Sequence, residues 1–233
     1  MAGERYFVQQ LLPHLYVVAQ EAPEDGSPCS DCHVYLLVGQ SVVLAVDAGG
    51  GNLWPFVVAT AQRYDFVDVP ISHVLVTHGH RDHVGGLSQF EGQGALTVSS
   101  EYTAGHLESD EDADVIFSEG DVLQFGELEV QTVATPGHTP GSTSYLVRLD
   151  GATCLFAGDL IQIDGGLGWC GSEGFSQEQV LTSLHTLRAM PTVNLLLAGH
   201  GWTDSPLQLL DRAIRLGETG CWIPWTDKRP KLP

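Results

Sequence analysis

The stretch THGHRDH, residues 77–83, places three imidazoles and a carboxylate within the six positions from His78 to His83. It follows directly on ISHVLV, an apolar run that reads as a buried strand. Ligand-type side chains at that density are costly to bury unless a partner compensates them. His78 and His80 are two apart, so in extended chain both point to one side and can bind one ion. Asp82 and His83 fall where the chain turns into a helix and can reach a second ion beside the first. Imidazole suits zinc, iron, copper or nickel, and a carboxylate is a good bridge between ions.

Other residues able to join this chemistry share one setting, the end of an apolar strand. His138 follows VQTVATPG, Asp159 follows CLFAG, His200 follows NLLLAG and Asp47 follows VVLAV. Rigid scaffolds present functional groups on such loops. Gly79, Gly137, Gly158 and Gly199 stand beside them and allow sharp turns and close approach. The candidates come to five His and two Asp, namely His78, His80, His83, His138, His200, Asp82 and Asp159. That is enough for two ions with a shared Asp and room for water. His14, His33, His73, His106 and His185 are isolated and read as ordinary surface or core histidines.

The elements that must position these groups are legible from periodicity. YFVQQL, LYVVAQ, HVYLLVG, SVVLAVDAG, ISHVLVT and ALTVSS read as strands in the first half; DVLQF, ELEVQTVAT, STSYLVRL, ATCLFAGDL and VNLLLAGHG do so in the second. NLWPFVVATAQRY, SQEQVLTSLHTLRAM and SPLQLLDRAIRLG have helical spacing. Ser176 with Gln179 reads as a capping box, and Gly217 as a helix stop. EYTAGHLESDEDAD reads as a helix running into an acidic loop, and EDGSPCSD as another exposed loop. This alternation predicts two mixed β-sheets packed face to face with helices outside, as one domain over residues 1–233. Residues 218–233 read as an irregular C-terminal tail.

Composition excludes several classes of function. The net charge is −19, with ten scattered Lys and Arg, so no basic footprint for nucleic acid or for an anionic membrane surface is present. No apolar run approaches the roughly 20 residues of a membrane span. The start MAGERYFVQQLL lacks a basic segment followed by an apolar one, so no signal peptide is expected and a cytoplasmic location is. The partner expected is a small-molecule substrate; nothing in the sequence points to an oligomeric state. Five cysteines show no disulfide framework: Cys29 and Cys32 form one CxxC, read as a loop pair, and Cys154 reads as core. GLGWCG, residues 166–171, matches GxGxxG, but no strand runs into it and no helix opens on it, so it reads as a loop at the rim of the site.

With these residues in view, the chain resembles the metallo-β-lactamase superfamily. HGHRDH fits its HxHxDH motif, and TPGHTPGS, FAGDL and AGHG look like its later ligand motifs in the right order, from about residue 14 to about residue 215. The resemblance implies an αββα sandwich with a dinuclear site between the sheet edges. It gives one metal to His78, His80 and His138, the other to Asp82, His83 and His200, and makes Asp159 the bridge. Asp47 matches an aspartate behind the ligands that orients one of them. Two zinc ions per chain are implied, with iron or manganese as alternatives. Their bridging hydroxide would attack a carbonyl carbon, and Asp82 is placed to take or relay a proton.

Departures from subfamily patterns narrow the expected substrate. The bridging Asp159 resembles the thioesterase, lactonase and phosphodiesterase branches more than the β-lactamases. Glyoxalase II proteins carry a GCGR- or GCGK-like stretch after that Asp and a basic helical C-terminal domain; here the stretch is GGLGWCGSEG, and residues 201–233 are too few for that domain. The lactonases carry a Tyr in the same region, and none stands between Asp159 and His200. The expectation is a metal-dependent hydrolase of a small carboxylic ester, lactone or thioester. Trp169, Phe175 and Trp202 are candidates for an apolar substrate pocket. The alternatives are a mononuclear iron oxygenase like the persulfide dioxygenases, β-lactam hydrolysis, and a metal-stabilised binding module without turnover.

Overall fold

The computed structural model describes residues 6–21, 29, 31–190 and 192–222. Its first sheet takes β1 (Tyr6–Leu12), β2 (Leu15–Gln20), β3 (Val34–Val38), β4 (Val43–Val46), β5 (Ile71–Leu75), β6 (Leu96–Ser100) and β7 (Val115–Phe117) in chain order. The first four strands pair antiparallel and the last three join in parallel, as helical crossovers require. Those crossovers hold α1 (Trp54–Arg63), α2 (Arg81–Val84), α3 (Leu87–Glu91) and α4 (Glu101–Ala104). The second sheet runs in space from β13 (Gly201–Thr203) through β12 (Leu195–Ala198), β11 (Ala152–Gly158), β10 (Thr143–Leu149) and β9 (Leu128–Ala134) to β8 (Val122–Phe125). Its one parallel pair, β11 with β12, is bridged by α5 (Gln177–Arg188), and α6 (Pro206–Glu218) closes the described chain.

Strand periodicity explains the four layers. In β2 the residues Leu15, Val17 and Ala19 face the second sheet, while Tyr16 and Val18 face outward under α1. In β10 and β11, Tyr145, Val147, Cys154 and Phe156 enter the central core, and Leu146, Leu155 and Ala157 lie under α5 and α6. Each central strand is therefore apolar on both faces, which is why it reads as a continuous hydrophobic run. The result is the expected αββα sandwich. No helix among the described residues is long and apolar enough to cross a membrane.

Several local expectations are corrected. Two short edge strands, β7 and β13, carry too few residues to show a period. The stop of α6 is Gly220, at φ +65°, not Gly217; Cys221 N–H donates to Leu216 C=O and Gly220 N–H to Gly217 C=O, a Schellman closure. Gly217 lies inside the last turn, where a Cβ would collide with the Trp222 ring. The Ser176 hydroxyl does cap Gln179 N–H, but Ser176 N–H donates to Gly137 C=O, which takes the place of the reciprocal Gln179 bond. Residues 223–233 of the expected tail and residues 24–28 and 30 of the first acidic loop lie outside the described residues. Asp31, read as part of that exposed loop, is fully buried and accepts bonds from Gly50 N–H and the Asn52 side chain.

The two sheets are joined directly at the end of β5. Tyr145 pins it to the second sheet through its hydroxyl, which donates to Val76 C=O at 2.6 Å, and Thr143 N–H donates to Thr77 C=O at 2.9 Å. Tyr145→Phe removes a fully buried donor and leaves that carbonyl unsatisfied. It is expected to destabilise the fold by about 1–3 kcal/mol in denaturant unfolding; an unchanged midpoint would show that the pin carries no weight.

Candidate metal centre

The ends of β4, β5, β9, β11 and β12 converge at one edge of the sandwich and bring the candidate residues into two adjoining groups. In the first, His78 Nε2, His80 Nδ1 and His138 Nε2 lie 3.0–3.2 Å from one another. In the second, His200 Nε2 is 3.2 Å from Asp82 Oδ2 and 3.5 Å from Asp159 Oδ2, and His83 Nε2 is 3.4 Å from Asp159 Oδ1. Donor atoms in each group all fall within 4.8 Å of one another. The groups meet where the His78 and His83 rings lie 4.0 Å apart between centroids, their planes tilted by 53°. A Cβ at Gly199 would collide with Asp159 and His83, so only glycine lets the β12 loop close over them.

The donor sets fit divalent cations. A ring nitrogen either carries a proton or offers a lone pair. Three nitrogens in mutual contact therefore cannot all be paired by hydrogen bonds; at least one contact is like against like, and a cation accepting all three lone pairs removes the conflict. Ligands about 2.0–2.1 Å from a tetrahedral ion would stand about 3.3 Å apart, close to the spacing seen. Burial holds His78 well below its usual pKa, lowers His80 and takes His138 to about 4, so these imidazoles are neutral. In the second group, His83 Nε2 and Asp159 Oδ1 are buried without a hydrogen-bond partner among the described residues. Burial opposes charge on His83 and His200. Around His83, the Cys32 thiol with Asp47, Asp82 and Asp159 outweighs it; around His200, Asp159 and Asp82 do, and both pKa values stand well above the ordinary one. Burial likewise opposes charge on Asp159, yet His200 and His83 hold its carboxyl well below the usual range.

Asp47 stands directly behind the donors. Its Oδ2 accepts from His83 Nδ1 at 2.8 Å and from the Thr77 hydroxyl at 2.9 Å, and its Oδ1 accepts from Thr77 N–H at 2.8 Å. The residue sits at φ +58°, a strained setting for a non-glycine that the surrounding bonds over-determine. Sequence reading missed the backbone clamps around it. Cys32 N–H donates to Asp82 C=O, Ala48 N–H to His83 C=O, and His33 N–H to Gly199 C=O. The CxxC expectation is corrected accordingly: Cys32 is fully buried near Asp47 and His83, and burial pushes its thiol up to about 12. The only available signal was its place just before the apolar run HVYLLV.

Of the three aromatic pocket candidates, Trp169 alone stands against a donor, its ring 5.6 Å from that of His80 and 46% exposed. Phe175 precedes the α5 cap and packs on the α5–α6 core, and Trp202 on β13 packs beside Phe7 and His33. The stretch 166–171 forms no strand-to-helix junction, since α5 begins at Gln177. His14, His73 and His185 lie away from the donors against Asp150, Ser72 and Glu218, whereas His106, bonded to Tyr102 C=O, packs its backbone on Gly79 beside His80.

The αββα fold and the two donor sets at its edge define a metal-binding scaffold, and comparison with known proteins places it in a family. The family model of the metallo-beta-lactamase superfamily matches residues 28–200, and the chain belongs to that superfamily. It is 37% identical over 137 residues to the hydroxyacylglutathione hydrolase of Rhodopseudomonas palustris (strain HaA2), covering 58% of this chain and 50% of that protein. The chain thus spans about half the length of such relatives. The probable polyketide biosynthesis zinc-dependent hydrolase BaeB of Bacillus velezensis is 25% identical over 213 residues, 88% of this chain and 87% of that one. The metallo-beta-lactamase from Pontibacter korlensis superposes with a TM-score of 0.75 at 19% identity over 92% of this chain and 99% of that one, a likeness of fold.

Asp47→Asn tolerates the left-handed backbone but cannot accept at once from Thr77 N–H on one side and from His83 Nδ1 on the other, because one of its two terminal atoms becomes a donor. It is expected to lower divalent-metal affinity about 10–100-fold in competition with a chromophoric chelator. Affinity equal to wild type would remove Asp47 from the centre.

Proposed function

We propose that the chain is a dinuclear metal-dependent hydrolase of small carboxylic thioesters, esters or lactones. The observation that carries the reading is the pair of adjoining donor sets, one of three neutral imidazole nitrogens and one rich in carboxylate. His78, His80 and His138 would hold one ion, Asp82, His83 and His200 the other, with Asp159 shared. Zinc is the metal best suited to this mixture of nitrogen and oxygen ligands, with iron or manganese as alternatives. When bound, such ions supply Lewis-acid activation of water and of the substrate carbonyl.

The chain's own residues supply position and proton handling. Asp82 has the most exposed side chain of its set, 30% against 14% for His200 and 8% for Asp159. Opposing burial, His83 and His200 hold its pKa below the usual carboxylate value, so it is ionised, and its partial exposure rather than its basicity suits it to relay the proton released when water adds to the carbonyl. Beside His80 opens a cavity of about 320 Å³ lined by Tyr102, His106, Glu108, Pro140, Ser172 and Glu173 among others. No Lys or Arg stands among its described lining residues, and the chain carries −19 overall. Neutral or cationic substrate arms suit this cavity better than a carboxylate-bearing thiol.

His80→Ala is expected to lose metal and to lower hydrolysis of a thioester, ester and lactone panel by about 10³-fold, several kcal/mol of transition-state stabilisation. Chelation should do the same to the wild type, with divalent metal restoring it. Full hydrolysis by metal-depleted His80→Ala would overturn the mechanism. Oxygen uptake on a thiol persulfide by protein holding one iron would replace it with the oxygenase alternative.

A further inference from the structure

We infer that Thr77 is a positioning residue that couples the two donor sets, its hydroxyl fixing His78 through the same carboxylate that fixes His83. The inference rests on reading His78 and His83 as ligands of different ions.

The number of protons available decides the arrangement. Asp47 Oδ2 accepts from both His83 Nδ1, at 2.8 Å, and Thr77 Oγ1, at 2.9 Å. A hydroxyl has one proton, and Thr77 gives it to the carboxylate. Its oxygen, 3.1 Å from His78 Nδ1, can then only accept, so His78 carries its proton on Nδ1. That leaves the lone pair on Nε2, the atom that meets His80 and His138. His83 likewise gives its Nδ1 proton to Asp47, so Nε2, facing Asp159, is the atom left for an ion of the second set once its own proton is displaced. One carboxylate thereby decides which nitrogen of one ligand in each set is free for an ion, directly for His83 and through Thr77 for His78.

Thr77 is held so that this relay has little freedom. Thr77, Asp47, His78 and His83 are all at most 2% exposed. The Thr77 backbone is bonded on both sides, N–H to Asp47 Oδ1 and C=O from Thr143 N–H. Behind it lies Gly158, at φ +50°, where a Cβ would stand 2.7 Å from Thr77 Oγ1 and 2.9 Å from its Cβ. The residue next to that glycine is Asp159, so the same packing that seats Thr77 also seats the shared carboxylate.

The test uses Thr77→Val, which keeps the shape and deletes the hydroxyl, and Thr77→Ser, which keeps the hydroxyl and deletes the methyl. Stepwise Zn²⁺ titration against a chromophoric chelator should show one of the two affinities falling about 10–100-fold in Thr77→Val. The other should change less, since His83 keeps its bond to Asp47, and Thr77→Ser should restore most of the loss. Long-range ¹H–¹⁵N spectra of the metal-free wild type should show His78 protonated on Nδ1, and Thr77→Val should lose that single tautomer. Wild-type affinity for both ions in Thr77→Val, a Thr77→Ser as weak as Thr77→Val, or His78 protonated on Nε2 in the wild type would each overturn the inference. A wild type that binds no divalent ion would overturn the hydrolase reading instead, and the tautomer spectrum would still decide on Thr77.

Discussion

The structure turns on one electrostatic conflict, the convergence of three imidazole nitrogens at 3.0–3.2 Å on a buried spot where hydrogen bonds cannot satisfy them all. Left to themselves, lone pairs and N–H groups at that distance repel in at least one contact, and the low dielectric around them strengthens the penalty. Beside them stand a buried imidazole nitrogen and a buried carboxylate oxygen without hydrogen-bond partners among the described residues. A protein that maintains such an arrangement does so for cations. Much of the rest of the architecture can be understood as what holds the donors there against their mutual repulsion.

The holding is done in layers. The two sheets place the ends of five strands at one edge, and a continuous core between them fixes the relative position of those ends. Two bonds from β10 to the Val76–Thr77 segment then join the first sheet to the second immediately before the histidine cluster. Nearer the donors, Asp47 and Thr77 set ring orientation, and Cys32, His33 and Ala48 clamp the backbone around Asp82, His83 and Gly199. Each layer constrains the next, so a change in the core is expected to reach the site through the end of β5.

The sequence was informative about different parts for different reasons. The strands of the central core were legible because both faces are covered, which leaves apolar runs such as LYVVA in β2 and YLV in β10. The donors were legible because histidine and aspartate after such runs have few other uses, and HGHRDH concentrates four of them. What escaped was whatever depends on three-dimensional closure. Asp31 looks like one more charge in an acidic loop, yet it is buried under Gly50 and Asn52. Cys32 looks like half of a loop CxxC, yet its backbone bonds Asp82. Thr77 is an unremarked residue before the cluster until its hydroxyl is seen between Asp47 and His78. Strands β7 and β13 are too short for any period, and the stop of α6 is decided by which glycine takes the left-handed conformation and closes the Schellman bonds, Gly220 rather than Gly217.

The most direct measurement is the metal content of the protein purified without added metal, by mass spectrometry, per folded chain. A dinuclear centre predicts about two divalent ions per chain, zinc foremost. A folded protein with no bound metal and no affinity for it would contradict that centre at its base, because the converging imidazoles would then have no cation to justify them.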